Sequence, residues 1–181
     1  HNLQNVLASV AVAGILGADP EIVRDGLPQF RGVRRRMEVF HEAEGITFVD
    51  DFAHHPTAIH ETIAAARMRW PNRRLIVLFE PRSNTTVTNR FRDDICAAFG
   101  QADEVWLGPI HRGDIIPPEE RLDREWIARS LSAKGVAGHY ADDVETILQG
   151  LRVTARDGDV VLILSNGAFG GIYARIRERS W

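Results

Sequence analysis

Three short stretches of the 181-residue chain concentrate side chains that could do chemistry. The first is Asp50-Asp51-Phe52-Ala53-His54-His55-Pro56, where carboxylate and imidazole together could hold a ribose, a phosphate-bound metal or a developing anion. The plainer alternative has Asp50 and Asp51 capping the next helix, which Pro56 is placed to open, with both histidines solvated. The second stretch is Glu80-Pro81-Arg82-Ser83-Asn84-Thr85-Thr86. Arg82 offers a planar fork that matches a carboxylate, and Ser83, Asn84 and Thr85 could complete a pocket for a polar substrate end. The alternative is an ordinary loop in which Thr85 or Thr86 caps a helix. The third is Ser165-Asn166-Gly167-Ala168-Phe169-Gly170-Gly171, whose small residues would expose backbone N–H groups to an anion at a helix start. It is not a G-x-G-x-x-G fingerprint, and no G-x-x-x-x-G-K-[ST] pattern occurs, so phosphates of any ATP are expected to be held mostly elsewhere.

Two further features lie nearer the start. His1, Asn2, Asn5 and Ser9 share the polar side of a helical pattern, where amides could read a base or face water. Arg31, Arg34, Arg35 and Arg36 crowd one loop, either as a solvated charge run or as phosphate contacts.

The elements that must position these residues follow from periodicity. Leu3, Val6, Leu7, Val10 and Ala11 recur at helical spacing until Gly17 and Asp19-Pro20 stop them, which predicts an amphipathic helix over 1–16 and a second short helix over 20–27. Residues 26–36, rich in glycine, proline and arginine, read as a linker. Strands are predicted over 37–40, 46–49, 75–79, 104–107, 136–140 and 160–164, the first two joined by a turn at Glu44-Gly45. Between them and after the last, Ile59, Ile63 and Trp70; Phe91, Ile95 and Phe99; Trp126, Ile127 and Leu131; Val144, Ile147, Leu148 and Leu151; and Phe169, Ile172, Tyr173 and Ile176 mark helix faces. The unbroken apolar runs at 75–79 and 160–164 suit strands covered on both faces. The fold class is therefore α/β: a Rossmann-like, doubly wound, mostly parallel sheet with helices on both faces, in which ligands bind beyond the carboxyl ends of the strands.

Composition bounds the rest. With 44% hydrophobic and 26% charged residues the chain can bury one sizeable core. A net charge of -3 gives no general reason to expect nucleic acid or an anionic membrane as partner. Cys96 is the only cysteine, which excludes an internal disulfide and fits a reducing compartment, so a cytoplasmic location is expected. No apolar run reaches the roughly 20 residues of a membrane span. The chain starts on His1 and passes straight into a helical pattern, as expected of a piece cut from a longer protein.

Taken together, His1-Asn2-x-x-Asn5 with Ala8 and Ala11, Phe30-x-Gly32-Val33-x-Arg35-Arg36-Met37-Glu38 and the Asp-Asp-Phe-Ala-His-His-Pro stretch resemble the Mur ligase family, in family order and over essentially the whole chain. The loops at 79–85 and 165–171 look most like the branch that joins UDP-N-acetylmuramate to the murein tripeptide L-Ala-γ-D-Glu-meso-diaminopimelate in peptidoglycan recycling. The branch that adds L-alanine is the near relative. The resemblance implies a three-domain enzyme that uses ATP and Mg²⁺ to form an acyl phosphate, which the incoming amine attacks. Residues 1–27 would be the helical tail of the central ATP-binding domain, 28–36 a linker, and 37–181 the substrate-binding C-terminal domain. The P-loop and principal Mg²⁺ ligands would then lie in the absent region, so this chain alone should not catalyse ligation, and no metal ligands are assigned to it. Transferred residue by residue, His1, Asn2, Asn5, Arg36 and Asp51 would contact ATP, His54 and His55 would lie at the reaction centre, and Arg82, Ser83, Asn84, Thr85, Ser165 and Asn166 would contact the peptide. The Asp-Asn-Pro-Arg motif of the diaminopimelate-adding relative is absent, which leaves Glu80-Pro81-Arg82 to read such an end. Two readings of another class stand beside this one. One is a non-catalytic nucleotide- or anion-binding module; the other is a metal hydrolase on Asp50, Asp51, His54 and His55, with His41, His60 or His111, against which adjacent histidines argue.

Overall fold

The structure is a computed structural model that describes residues 2–30 and 32–178, so His1 and Arg31 of the sequence reading lie outside the described residues. The chain divides into two compact units, His1–Arg34 and Arg35–Trp181. No helix among the described residues is long and apolar enough to cross a membrane.

In the first unit, α1 spans Asn2–Ile15 and α2 spans Pro20–Gly26. Gly17, at φ 77°, takes the left-handed conformation that ends α1 without a Cβ penalty. Asp19 caps α2 by accepting the Glu21 N–H at 2.8 Å, with Pro20 at the first helical position. Of the expected apolar stripe, Val6 and Val10 are half-buried while Leu3 and Leu7 stay exposed, because two short helices offer too little surface to cover it.

The second unit is built on six strands: β1 Glu38–Ala43, β2 Ile46–Asp51, β3 Leu75–Phe79, β4 Glu104–Leu107, β5 Ala137–Tyr140 and β6 Val160–Leu164. Their spatial order is β1-β2-β6-β3-β4-β5. Only β1 runs antiparallel; β2, β6, β3, β4 and β5 are mutually parallel. Glu44 and Gly45 both have positive φ in the β1–β2 turn, the geometry that matches the twist of paired strands. The β1 strand starts one residue later than expected and runs to Ala43, and β2 continues through Asp51. Asp50 and Asp51 are therefore strand residues and do not cap the following helix, because the ladder to Glu38 and to Leu164 claims their backbone.

Five helices cover the sheet: α3 Pro56–Arg69, α4 Arg92–Ala98, α5 Arg124–Ser132, α6 Val144–Thr154 and α7 Ile172–Arg177. Strand alternation sorts the core into two layers. Leu75, Val77, Phe79, Leu162 and Leu164 pack with Ile59, Ile63, Ile95, Ile127 and Leu131 from α3, α4 and α5, and with Phe99 just after α4. Ile76, Leu78, Val161 and Ile163 point the other way, to Ile147, Leu148, Leu151, Ile172 and Ile176 from α6 and α7. This two-sided burial explains why β3 and β6 are apolar at every position.

Candidate active site

Three adjacent parallel strands end in one row, Asp51 of β2 opposite Leu164 of β6, and Leu164 opposite Phe79 of β3. The loops that leave them therefore emerge side by side at the carboxyl edge of the sheet. Backbone bonds stitch them together: Ser165 N–H donates to the Asp51 carbonyl at 3.2 Å and Glu80 N–H to the Leu164 carbonyl at 3.0 Å. The strand order reverses at this place, where open α/β sheets hold ligands.

At the β3–β6 junction, the buried carboxylate of Glu80 accepts the Ser165 hydroxyl proton and lies 3.5 Å from Arg82 Nη1. The same Nη1 donates to His111 Nδ1 at 3.0 Å, and the Nε, Cδ and Cζ atoms of Arg82 lie so close to Gly167 that a Cβ there would clash with them. Arg82 is thus fixed from three sides, with its side chain still 31% exposed. Its Nε and Nη2 make no hydrogen bond with the described residues, which leaves the fork ready for an incoming carboxylate. Ser83 donates its hydroxyl proton to the His54 carbonyl at 3.3 Å, tying the β3 loop to the β2 loop. Ser83 and Thr86 bond each other at 3.0 Å in a local turn, so neither Thr85 nor Thr86 caps a helix. Asn84 is exposed and Thr85 half-buried, and neither side chain is hydrogen-bonded among the described residues. Asn166 is half-buried, and its buried Oδ1 meets no donor.

At the β2 end the two aspartates face inward. Asp51, 1% exposed, accepts the Met37 N–H at 2.8 Å, the Ala53 N–H at 2.9 Å and the Thr62 hydroxyl at 3.3 Å. Burial raises its carboxyl above the ordinary value, against these bonds and the charge of Arg36. These three bonds brace the 51–53 turn. Asp50 is raised by burial as well, while it accepts the Tyr173 hydroxyl at 2.8 Å and Arg35 Nε at 3.1 Å. Burial also drives the Tyr173 phenol well up, helped by the neighbouring Asp50 charge. Arg35 belongs to this internal network: it donates to the Ser165 and Gly167 carbonyls, and its guanidinium lies over Phe52 and Tyr173. The arginine cluster is thus divided. Arg35 is a structural clasp, whereas Arg36 is exposed, with its guanidinium 5.6 Å from the Phe52 ring centre.

His54 is half-buried with Nδ1 2.8 Å from the Phe52 carbonyl. A carbonyl only accepts, so Nδ1 carries a proton, and Nε2 is left as the ring nitrogen that can accept one. His55 is exposed at the N-cap of α3, with its ring 6.0 Å from Phe91. Asn5 is exposed on α1, where its carbonyl accepts the Ser9 hydroxyl at 2.8 Å; α1 also carries Asn2. Among the described residues no three His, Cys, Asp or Glu side chains gather as a metal site requires, so the proposed hydrolase centre does not assemble.

Residues 35–167 match the family model described as Mur ligase, glutamate ligase domain. The chain belongs to the Mur ligase family. Over 180 residues it is 39% identical to the UDP-N-acetylmuramate–L-alanyl-γ-D-glutamyl-meso-2,6-diaminoheptandioate ligase of Escherichia coli, covering 98% of this chain and 37% of that protein. It is also 39% identical over 173 residues to the UDP-N-acetylmuramate–L-alanine ligase of Roseiflexus sp., covering 92% of this chain and 35% of that one. The crystal structure of a murein peptide ligase from Psychrobacter arcticus superposes with a TM-score of 0.72 at 31% identity, over 98% of this chain and 36% of that one. The chain thus spans little more than a third of the length of these Mur ligases.

Tyr173, which holds Asp50 from α7, escaped the sequence reading of this Mur ligase domain as a site member; Glu80 was read there only as part of Glu80-Pro81-Arg82 and His111 only as a possible metal ligand, whereas Glu80 anchors Ser165 and Arg82, and His111 holds Arg82 from the β4 loop. A carboxylate at the end of an apolar strand, followed by Pro-Arg, was a usable signal for Glu80. His111 and Tyr173 reach their partners across 29 and 123 residues, and no local spacing could reveal that.

Proposed function

We propose that this chain is the amine-substrate half of an ATP-dependent ligase that joins UDP-N-acetylmuramate to L-Ala-γ-D-Glu-meso-diaminopimelate, in peptidoglycan recycling and in the cytoplasm. The observation that carries the reading is Arg82, locked at the sheet's carboxyl edge by Glu80, His111 and Gly167 yet open on its fork. A rigid bidentate donor suits a peptide carboxylate, and holding the peptide there leaves its amino end to attack an activated carbonyl. Ser83, Asn84, Thr85, Ser165 and Asn166 surround that fork as peptide contacts or supports, with the unsatisfied Asn166 Oδ1 as a further acceptor.

Residues 1–27 are read as the tail of a central ATP-binding domain and 28–36 as the linker to the substrate domain. By the family resemblance His1, Asn2, Asn5 and Arg36 are assigned to ATP; of these, Asn5 and Arg36 are exposed. Bound ATP would supply the phosphoryl group that activates the muramate carboxylate as an acyl phosphate. The principal Mg²⁺ ligands belong, on this reading, to protein beyond this chain. Within the chain, Asp51 shapes the turn that carries His54 and His55, and the free Nε2 of His54 is the acceptor for a proton leaving the attacking amine. By this account the chain alone, without the remaining domains, does not ligate.

Steady-state kinetics of the full-length enzyme test the reading. Arg82→Ala is expected to raise KM for the tripeptide by about tenfold or more, the worth of one charge-assisted hydrogen-bonded pair. Arg82→Lys should recover little of it, since an ammonium cannot reproduce a two-point fork. An unchanged KM in both variants would remove the observation on which the assignment rests.

A further inference from the structure

A second recess, of about 390 Å³, lies at the same edge of the sheet, walled by Asn89, Ile110, Glu119, Arg121, Glu125 and Tyr140 among others. It is joined to the Arg82 loop. Leu122 N–H donates to the Val87 carbonyl at 3.0 Å, Thr88 and Arg121 form a β-bridge, and Asp123 N–H donates to Asn89 Oδ1 at 2.8 Å. On the other side His111, which holds Arg82, follows Ile110 directly and donates its N–H to the Pro81 carbonyl at 2.9 Å. Arg124 stiffens the wall by donating to the Gly108 and Ala141 carbonyls at 2.9 and 2.6 Å.

The recess offers both signs of charge. Arg121 spends its Nε on the Ile116 carbonyl at 2.7 Å, and its two Nη groups make no hydrogen bond with the described residues. Glu119 is exposed and carries no ion pair among them. From these features we infer that this recess takes the far end of the peptide, with Arg121 reading a carboxylate and Glu119 an ammonium of its terminal diamino acid. The inference rests on the tripeptide reading above. An extended tripeptide spans roughly 10 Å, so a peptide gripped near its middle by Arg82 must place its last residue beyond that loop. A single free amino acid such as alanine has nothing to put there.

The test uses the full-length enzyme with ATP, Mg²⁺ and UDP-N-acetylmuramate, and compares L-Ala-γ-D-Glu-meso-diaminopimelate with the shorter L-Ala-γ-D-Glu as acceptors. In Glu119→Gln and Arg121→Gln, KM for the tripeptide should rise about tenfold while KM for the dipeptide stays within about twofold. Glu119 is exposed, so its variant reports even if loss of Arg121 disturbs folding. Unchanged tripeptide KM in Glu119→Gln, or equal increases for both acceptors, would overturn the recess while leaving the ligase reading intact. A wild-type enzyme that makes no product from the tripeptide overturns both.

Discussion

Ser165 serves two partners at once. Its hydroxyl donates to buried Glu80 and accepts the Gly167 N–H at 2.9 Å. Ser165→Ala leaves that carboxylate short of a donor, and the expected cost is about 1–3 kcal/mol in chemical denaturation, with a raised peptide KM because Glu80 helps seat Arg82. A loss of only a few tenths of a kcal/mol would show that Glu80 is satisfied without it. Asp51 supplies a pH-dependent test. Its carboxyl is raised above 3.8 in the folded chain, so its contribution to stability is complete below that value and is lost as pH rises through the raised one. The stability difference between wild type and Asp51→Asn should therefore shift against the wild type as pH rises from about 4. A flat difference, or the opposite slope, would contradict an inward, desolvated Asp51. Residue types were legible in the sequence here, but orientations were not. Arg82 and Ser165 stood out because they follow strands. That Asp51 turns inward and Arg35 closes an internal clasp depends on partners from distant segments.

At the scale of elements, strands β3, β4 and β6 are readable to the residue because two-sided burial forces apolar side chains at nearly every position. The exception inside β4 is Glu104, buried and bonded to Trp106 Nε1 at 2.6 Å. Boundaries were harder to read where pairing, and not pattern, extends a strand, as at Asp50 and Asp51 of β2. The edge strand β5 sits against α5 at Gly138, where a Cβ would come within 2.3 Å of the Ala128 carbonyl oxygen. Gly138→Ala should cost about 1–3 kcal/mol, read from the urea midpoint, because backbone and not a flexible side chain must give way. A neutral substitution would mean that α5 can slide off β5.

For the whole molecule, both core clusters draw their buried residues from between Met37 and Ile176. The segment 35–181 is therefore expected to unfold cooperatively by itself, with one transition seen by circular dichroism and by tryptophan fluorescence; two separated transitions would contradict this. The chain spans little more than a third of the length of its Mur ligase relatives. The most direct measurement is ligation by the full-length enzyme with ATP, Mg²⁺ and UDP-N-acetylmuramate, offering L-Ala-γ-D-Glu-meso-diaminopimelate and L-alanine separately and following phosphate release and product mass. Product from the tripeptide alone is the expected result; product from L-alanine alone, or from neither, would contradict the account.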